Sequence, residues 1–490
     1  MTDSSPSMAT RSPSRTNGHS DRASDITRLF QAQRQFASIA RRSDAAQRGA
    51  KIERIRQAVL ERRDDIRAAL HADLKKAPVE TDLSEVKAVR DEAAFVQRHL
   101  EDWMTPRPVP TPAPLVGTRS HIQHEPKGVV LIISPWNYPF NLTLRPLISA
   151  LAAGNCAMLK PSEYTPNSSR LLRSMVDDLF DEREVALVEG DATVAQTLLD
   201  QPFDHIFFTG SPRVGRIVMK AAADHLASVT LELGGKSPAI VDETADLADA
   251  ARKIAWGKFM NAGQTCIAPD YVLVQDQVRD RLVDLLRQNI RRFYGTTDED
   301  QRLSADYARL VNDDHFERVQ ALYTRAIEDG AHLAAGGQVD ADERYMAPTL
   351  LTDVPIDTKA MEDEIFGPLL PILSYRLLDD ALDIVADRPN PLALYLFTES
   401  TATEDTVLER TQSGGVCVND VLVHFMNPNL PFGGTGESGH GRSNGFFGFK
   451  EFSNERAVLR RTRGSALMQQ LFPPYDGFKR TLANWLVKYF

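Results

Sequence analysis

Apolar positions along the chain change their spacing at Gly128. Before it, through Lys51–Leu70 and Ala88–Trp103, they recur at helical intervals among many charges, which predicts a helical layer over residues 26–104. The Pro-rich stretch Thr105–Pro114 ends that layer, because proline and the residue before it favour extended backbone. Gly128-Val-Val-Leu-Ile-Ile-Ser134 is then a continuous apolar run bounded by Gly and Pro, the mark of a strand buried on both faces. Further strands are predicted at Asn155–Lys160, Glu184–Val188 and His205–Phe208. Helices between and after them are predicted at Pro146–Ala153 (ended by Gly154), Thr165–Leu179, Ala192–Asp200 and Arg213–His225. This alternation implies right-handed crossovers and a doubly wound parallel sheet, which binds ligands at the carboxyl ends of its strands. A second α/β pattern starts near Gly234, with strands at Ser237–Val241, Tyr271–Val274 and Gly415–Val418 and helices at Leu247–Asn261 and Val278–Phe293, and runs to about residue 430.

Composition narrows the class. A chain of 490 residues is too long for one simple core, and 42% hydrophobic with 25% charged residues is ordinary for a globular protein. A net charge of -10 with no basic stripe argues against nucleic acid as partner. Cys156, Cys266 and Cys417 are far apart and lack metal-ligand spacing, so no metal site is expected, and so few cysteines suit a reducing cytoplasm. No run approaches the roughly 20 apolar residues of a membrane span. Residues 1–25 have almost nothing to bury and read as a disordered tail, with an Arg/Ser-rich transit peptide as the other reading. The C-terminal segment 466–490 mixes Phe478, Leu482, Trp485, Leu486 and Phe490 with Lys479, Arg480 and Lys488; it reads as an amphipathic helix for a membrane surface or a partner subunit.

Candidate chemistry gathers at strand ends. Asn261-Ala-Gly-Gln-Thr-Cys266 sets a cysteine on a tight polar turn, where a thiol can meet a substrate; the plainer reading is a small buried hydrophobe. Asn137, in Ser134-Pro-Trp-Asn137, is either an amide donor for a developing oxyanion or a turn residue. Lys160 and Glu163 follow the next strand, where they suit ribose hydroxyls or form an exposed ion pair. Gly210-Ser211-Pro-Arg-Val-Gly215 opens a helix whose N-terminus can receive a pyrophosphate, although it is not a G-x-G-x-x-G fingerprint. Glu232, an acid inside Thr230-Leu-Glu-Leu-Gly-Gly-Lys-Ser-Pro238, is a candidate base whose burial would raise its proton affinity, or a buried charge held by backbone amides.

In order and spacing, these motifs resemble the aldehyde dehydrogenase superfamily from about residue 30 to 460. Glu232-Leu-Gly-Gly-Lys and Gly263-Gln-Thr-Cys266 match its glutamate and cysteine signatures, and Ser134-Pro-Trp-Asn137, Glu364-Ile-Phe-Gly-Pro368 and Pro431-Phe-Gly-Gly434 match further elements. Gln-Thr-Cys-Ile-Ala-Pro-Asp-Tyr271 looks like the class 3 branch of fatty-aldehyde and coniferyl-aldehyde enzymes, and Leu-Phe-Pro-Pro-Tyr475 looks most like the coniferyl type.

The resemblance implies a Rossmann-like cofactor domain over 26–106 and 126–233 and a catalytic domain over 234–430. Oligomerisation elements would lie at 107–125 and 431–465 of a cytoplasmic homodimer. It implies Cys266 as nucleophile, Glu232 as base and Asn137 with the Cys266 backbone N–H as oxyanion donors. NAD, with NADP open, would contact Lys160, Glu163, Gly210, Ser211, Gly215, Glu364, Phe366 and Trp136. The product would be the acid of a medium- to long-chain or aromatic aldehyde. A semialdehyde-specific or acylating relative, or an inactive scaffold of the same fold, is the alternative; Arg442 would serve a semialdehyde. One departure stands out: class 3 members carry aromatic-His-Gly where this chain reads Arg442-Ser-Asn-Gly445, near the substrate entrance.

Overall fold

Six strands form the sheet that organises the first half of the chain, in the spatial order Val185–Leu187, Cys156–Lys160, Val129–Ile133, His205–Thr209, Ser228–Glu232 and Gly439–His440. The computed structural model describes residues 15–112, 115–461 and 472–489. The first five strands run parallel, and Gly439–His440 closes the edge antiparallel, with Gly439 opposite Glu232. The doubly wound arrangement expected from the apolar runs is therefore present. Period-two alternation explains those runs. Val130 and Ile132 pack with Ile52, Val59, Val96 and Leu151 on one face, while Val129, Leu131 and Ile133 pack with Ile26, Phe30 and Val218 on the other. Winding reverses between Val129–Ile133 and His205–Thr209, so the loops after these two strands diverge and leave a crevice.

The second sheet has seven strands, ordered His332–Ala335, Thr349–Thr352, Leu369–Tyr375, Tyr271–Gln275, Pro238–Val241, Ala393–Phe397 and Gly415–Val418. Only its first pair is antiparallel. A third sheet joins Arg107–Val109, Thr118–Pro126 and Ser453–Arg461, all antiparallel.

Three expectations need correction. The tail expected over residues 1–25 is helical from Arg15, in a helix that runs to Ala40; residues 1–14 lie outside the described residues. Ile26 and Phe30, one turn apart and each 1% exposed, anchor that helix on the sheet, and extending an anchored helix costs little. The helix expected from Pro146 begins at Pro139, which takes the first-turn position and leaves Pro146 in the interior. Burial along nearly the whole helix offsets the lost hydrogen bond. The helix expected to reach Asn261 stops at Phe259, because Asn261 and Ala262 turn left-handed. At the C-terminus, Gly477–Tyr489 is a helix with no buried side chain; Leu471 and Phe490 lie outside the described residues. Among the described residues, no helix is long and apolar enough to cross a membrane.

Candidate active site

The turn carrying Cys266 is built from left-handed backbone. Asn261, Ala262 and Gly263 have φ of 52°, 52° and 75°, a conformation that costs a non-glycine residue about 1–3 kcal/mol and persists only when the surroundings dictate it. Those surroundings are buried amides. Asn261 Nδ2 donates to Asn137 O (3.0 Å) and Gln264 O (3.2 Å), and Gln264 Nε2 donates to Asn261 O (2.9 Å) and Arg309 O (3.0 Å). Val311 N donates back to Gln264 Oε1 at 3.0 Å. Asn137, 2% exposed, donates from Nδ2 to Gln264 O at 3.0 Å, which ties the loop after Val129–Ile133 to the cysteine turn. Tyr138 Oη and Thr265 Oγ1 meet at 2.6 Å and lock the same joint.

Cys266 is partly buried rather than exposed on its turn. Burial first, and then the Glu364 and Glu232 carboxylates, push its thiol above the ordinary range, while the backbone N–H groups of Cys266 and Ile267 pull the other way. The same N–H groups can therefore stabilise negative charge at this spot. The other two thiols offer no such setting. Cys156 lies in the sheet core with its thiol pushed up to about 12, and Cys417 Sγ sits 3.2 Å from His424 Nδ1.

Glu232 ends the strand Ser228–Glu232 and lines one cavity of about 40 Å³ with Cys266, Arg145, Phe425, Phe432 and Ser443. That volume has room for a water. Burial raises the carboxyl to about 8, against the lowering effects of Ser443, Arg442 and Arg145. Its Oε1 accepts from Ser443 Oγ at 2.8 Å, and its Oε2 has no protein partner. A base of this kind changes protonation near neutral pH.

The remaining expected residues fall around the crevice. Lys160 ends a strand and is ion-paired with Glu163 at 2.8 Å. Ser211 caps the helix Pro212–Asp224 from the end of His205–Thr209, and Gly215 is buried where a Cβ would press on Leu233. Trp136 meets Phe366 edge to face at 5.4 Å, and Phe366 holds a φ of 46°. Glu364 is partly buried and raised to about 8 by desolvation and by Asp270, and accepts from the Gly235 backbone. A Cβ on Gly234 would run into its carboxylate, and one on Gly235 would crowd the Pro391–Leu392 backbone, so both positions of the double glycine are tight. Ribose hydroxyls and a pyrophosphate suit such a set: a lysine–carboxylate pair, a capped helix N-terminus and a partly buried acid. Trp136, Tyr138 and Phe140 belong to the buried core, Phe425 lines the cavity, and Met426 is 60% exposed.

Several functional neighbours carry no signal in the sequence. Lys76, fully buried, donates to Asn137 O at 2.9 Å and contacts Glu85 Oε1 at 3.4 Å. Asp270 accepts from Ile365 N (3.1 Å) and from Lys236 Nζ (2.6 Å), and Lys236 also reaches Ala360 O and Asp363 O, so a buried charge knot holds the Glu364 loop. Lys236 and Asp270 are the exceptions, since both lie inside the glutamate and cysteine motifs, although their pairing does not show there. Among the described residues, no group of three or more His, Cys, Asp or Glu side chains could hold a metal ion.

A family model described as "Aldehyde dehydrogenase family" matches residues 6–458. The 4,4'-diaponeurosporen-aldehyde dehydrogenase of Staphylococcus aureus (strain NCTC 8325 / PS 47) is 42% identical over 92% of this chain and 97% of its own length. Aldehyde dehydrogenase family 3 member A2 of Mus musculus is 42% identical over 89% of each chain. A solved structure described as the substrate-bound state of Staphylococcus aureus AldH superposes with a TM-score of 0.89 at 42% identity, covering 94% of this chain and 99% of that one.

Proposed function

The chain belongs to the aldehyde dehydrogenase family, and on that premise we propose which of its residues carry the reaction and which aldehyde it takes. It oxidises an aldehyde to the carboxylic acid with NAD(P)+, and its relatives place it with the class 3 enzymes. In the proposed cycle, Cys266 attacks the aldehyde carbon to form a thiohemiacetal. The oxyanion is met by the Asn137 amide and the Cys266 backbone N–H. Lys160, Glu163, Ser211 and Glu364 would hold NAD(P)+, which would supply the hydride acceptor for this carbon. Glu232 then takes a proton from water as the water attacks the resulting thioester, and the acid leaves. One observation carries the reading: the Cys266 thiol and a buried carboxyl raised to about 8 line a single cavity with room for water.

The expected test result follows from dividing the work between two groups. Glu232→Gln should keep a single-turnover burst of NADH while steady-state turnover falls about a hundredfold. In the unsubstituted enzyme the steady-state rate should rise with pH through about 8, where Glu232 becomes a carboxylate. A Glu232→Gln variant with undiminished steady-state turnover would exclude the base.

Medium- to long-chain aliphatic or aromatic aldehydes are the proposed substrates. Leu142, Phe207, Phe425, Phe432 and Phe452 line the cavity. Its one cation, Arg145, is held at 3.0 Å by Glu92. Arg442, which a semialdehyde enzyme would turn toward a substrate carboxylate, instead donates to the backbone carbonyls of Gly434 and Gly441. Octanal should therefore exceed a semialdehyde of equal length in kcat/KM by at least about tenfold, the value of 1.4 kcal/mol. NAD is the proposed preference over NADP, since Glu163 beside Lys160 disfavours a 2′-phosphate. Hexanal, decanal, benzaldehyde and coniferaldehyde, each assayed with both nucleotides, test both choices. A cytoplasmic homodimer fits three unpaired cysteines and the mostly exposed strand Ser453–Arg461 at a sheet edge.

A further inference from the structure

We propose that Ser443 is a positioning residue for the deacylation base: its hydroxyl holds the Glu232 carboxyl in one orientation whether or not that carboxyl carries a proton, and leaves the second carboxyl oxygen to the cavity. The inference rests on the assignment of Glu232 as the base. Ser443 sits in the segment where this chain departs from the aromatic-His-Gly pattern of the class 3 enzymes.

The backbone of that segment is fixed on every side. Ser443 N donates to Phe432 O at 2.6 Å, and Phe432 N donates to Ser443 O at 3.1 Å. Asn444 Nδ2 donates to Phe425 O at 3.1 Å, and its Oδ1 accepts from Arg145 at 2.6 Å. Gly445 N donates to Glu92 Oε1 at 2.9 Å, and Arg442 Nη1 donates to two carbonyls. The Ser443 Cβ therefore has a set origin, from which the hydroxyl reaches Glu232.

Two acceptors lie within its reach: Glu232 Oε1 at 2.8 Å and Phe432 O at 3.3 Å. When Glu232 is a carboxylate, the hydroxyl donates to Oε1. When Glu232 has taken the proton of the attacking water on Oε2, Oε1 is a carbonyl oxygen and still accepts from the hydroxyl. Both states occur in every turnover, and a serine or threonine serves both because its O–H finds an acceptor in Oε1 each time. Glu232 Oε2, buried and without a protein partner, is left to meet the water. The other charged and titratable groups around Glu232 are Arg442, Arg145, Glu451, the Cys266 thiol and Glu92, which lines the same cavity and pairs with Arg145. Ser443 acts on this background as the direct donor, and donation to an ion outweighs donation to the neutral acid.

The sign follows. Without the hydroxyl, the carboxylate loses a donor and the base stays protonated to higher pH. In Ser443→Ala the acid limb of the steady-state rate should move up by about one pH unit, a tenfold loss on that limb. The NADH burst should be unchanged in rate and amplitude, and Ser443→Thr should restore the limb. The infrared carboxyl band that Glu232→Gln removes should titrate higher in Ser443→Ala, which reads the base without turnover. An unshifted limb and band in Ser443→Ala, or a burst lost together with turnover, overturns the proposal. Full steady-state turnover in Glu232→Gln instead overturns the assignment of the base, so the two failures are distinguishable.

Discussion

Cys266→Ala should lower aldehyde-dependent NADH formation by at least about ten-thousandfold, in the burst as well as in the steady state, because no other group can form the bond to the aldehyde carbon. Cys156 is in the sheet core and Cys417 is turned to His424, so neither thiol can substitute. The change removes one sulfur from a partly buried turn, and the melting temperature should move by only a few degrees. Nucleotide binding should persist, since Lys160, Glu163, Ser211 and Glu364 are untouched. Stopped-flow absorbance of NADH, together with nucleotide titration of the variant, checks both halves. NADH formation within tenfold of the unsubstituted enzyme would remove Cys266 from the mechanism. The raised proton affinity of this thiol also means that its activation needs a proton acceptor, which ties its reactivity to the carboxyls beside it.

Lys76→Met should be the most damaging substitution outside the cavity. Lys76 and Glu85 are both 0% exposed, and Lys76 Nζ also donates to Asn137 O and lies 4.0 Å from the Tyr138 ring centre. Removing the cation leaves a carboxyl with no counterion, at a cost of about 3–5 kcal/mol. Glu85 is raised to about 7 by desolvation even with Lys76 lowering it, so the variant would raise it further. A carboxyl whose proton affinity is higher folded than unfolded loses stability as pH rises through its folded value. The deficit of Lys76→Met should therefore be larger at pH 8.5 than at pH 5.5, and Lys76→Met/Glu85→Leu should recover most of it. Urea unfolding at the two pH values measures this. A deficit below about 1 kcal/mol that does not vary with pH would mean that the pair does not hold the Asn137 joint.

The elements that reach the sheet cores were legible because burial on two faces forces uninterrupted apolar runs, as at Val129–Ile133 and His205–Thr209. Cys266, Glu232 and Asn137 were legible because their neighbours are constrained: glycines where a Cβ would strike Glu364 or Gly367, and an amide on the loop leaving a buried strand. Pairings between distant segments were not legible. Lys76 lies in a charged helical stretch and looks solvated, yet it is fully buried because Glu85 and Asn137 supply its partners. Ser443 is an ordinary serine until the Phe432 bridge brings it to Glu232. The start of the first helix at Arg15 was missed because its anchors, Ile26 and Phe30, lie beyond the polar stretch.

Closing the first sheet with Gly439–His440 has a consequence for how the chain is made. The strand that ends in the base waits for a partner more than two hundred residues downstream, and Thr230 waits likewise for Glu451. Until the ribosome has released that late segment, Ser228–Glu232 is a bare edge, open to pairing with another nascent chain. Fragments truncated before residue 439 should therefore aggregate rather than persist as a half-enzyme, and catalytic competence arrives only with the last part of the polypeptide.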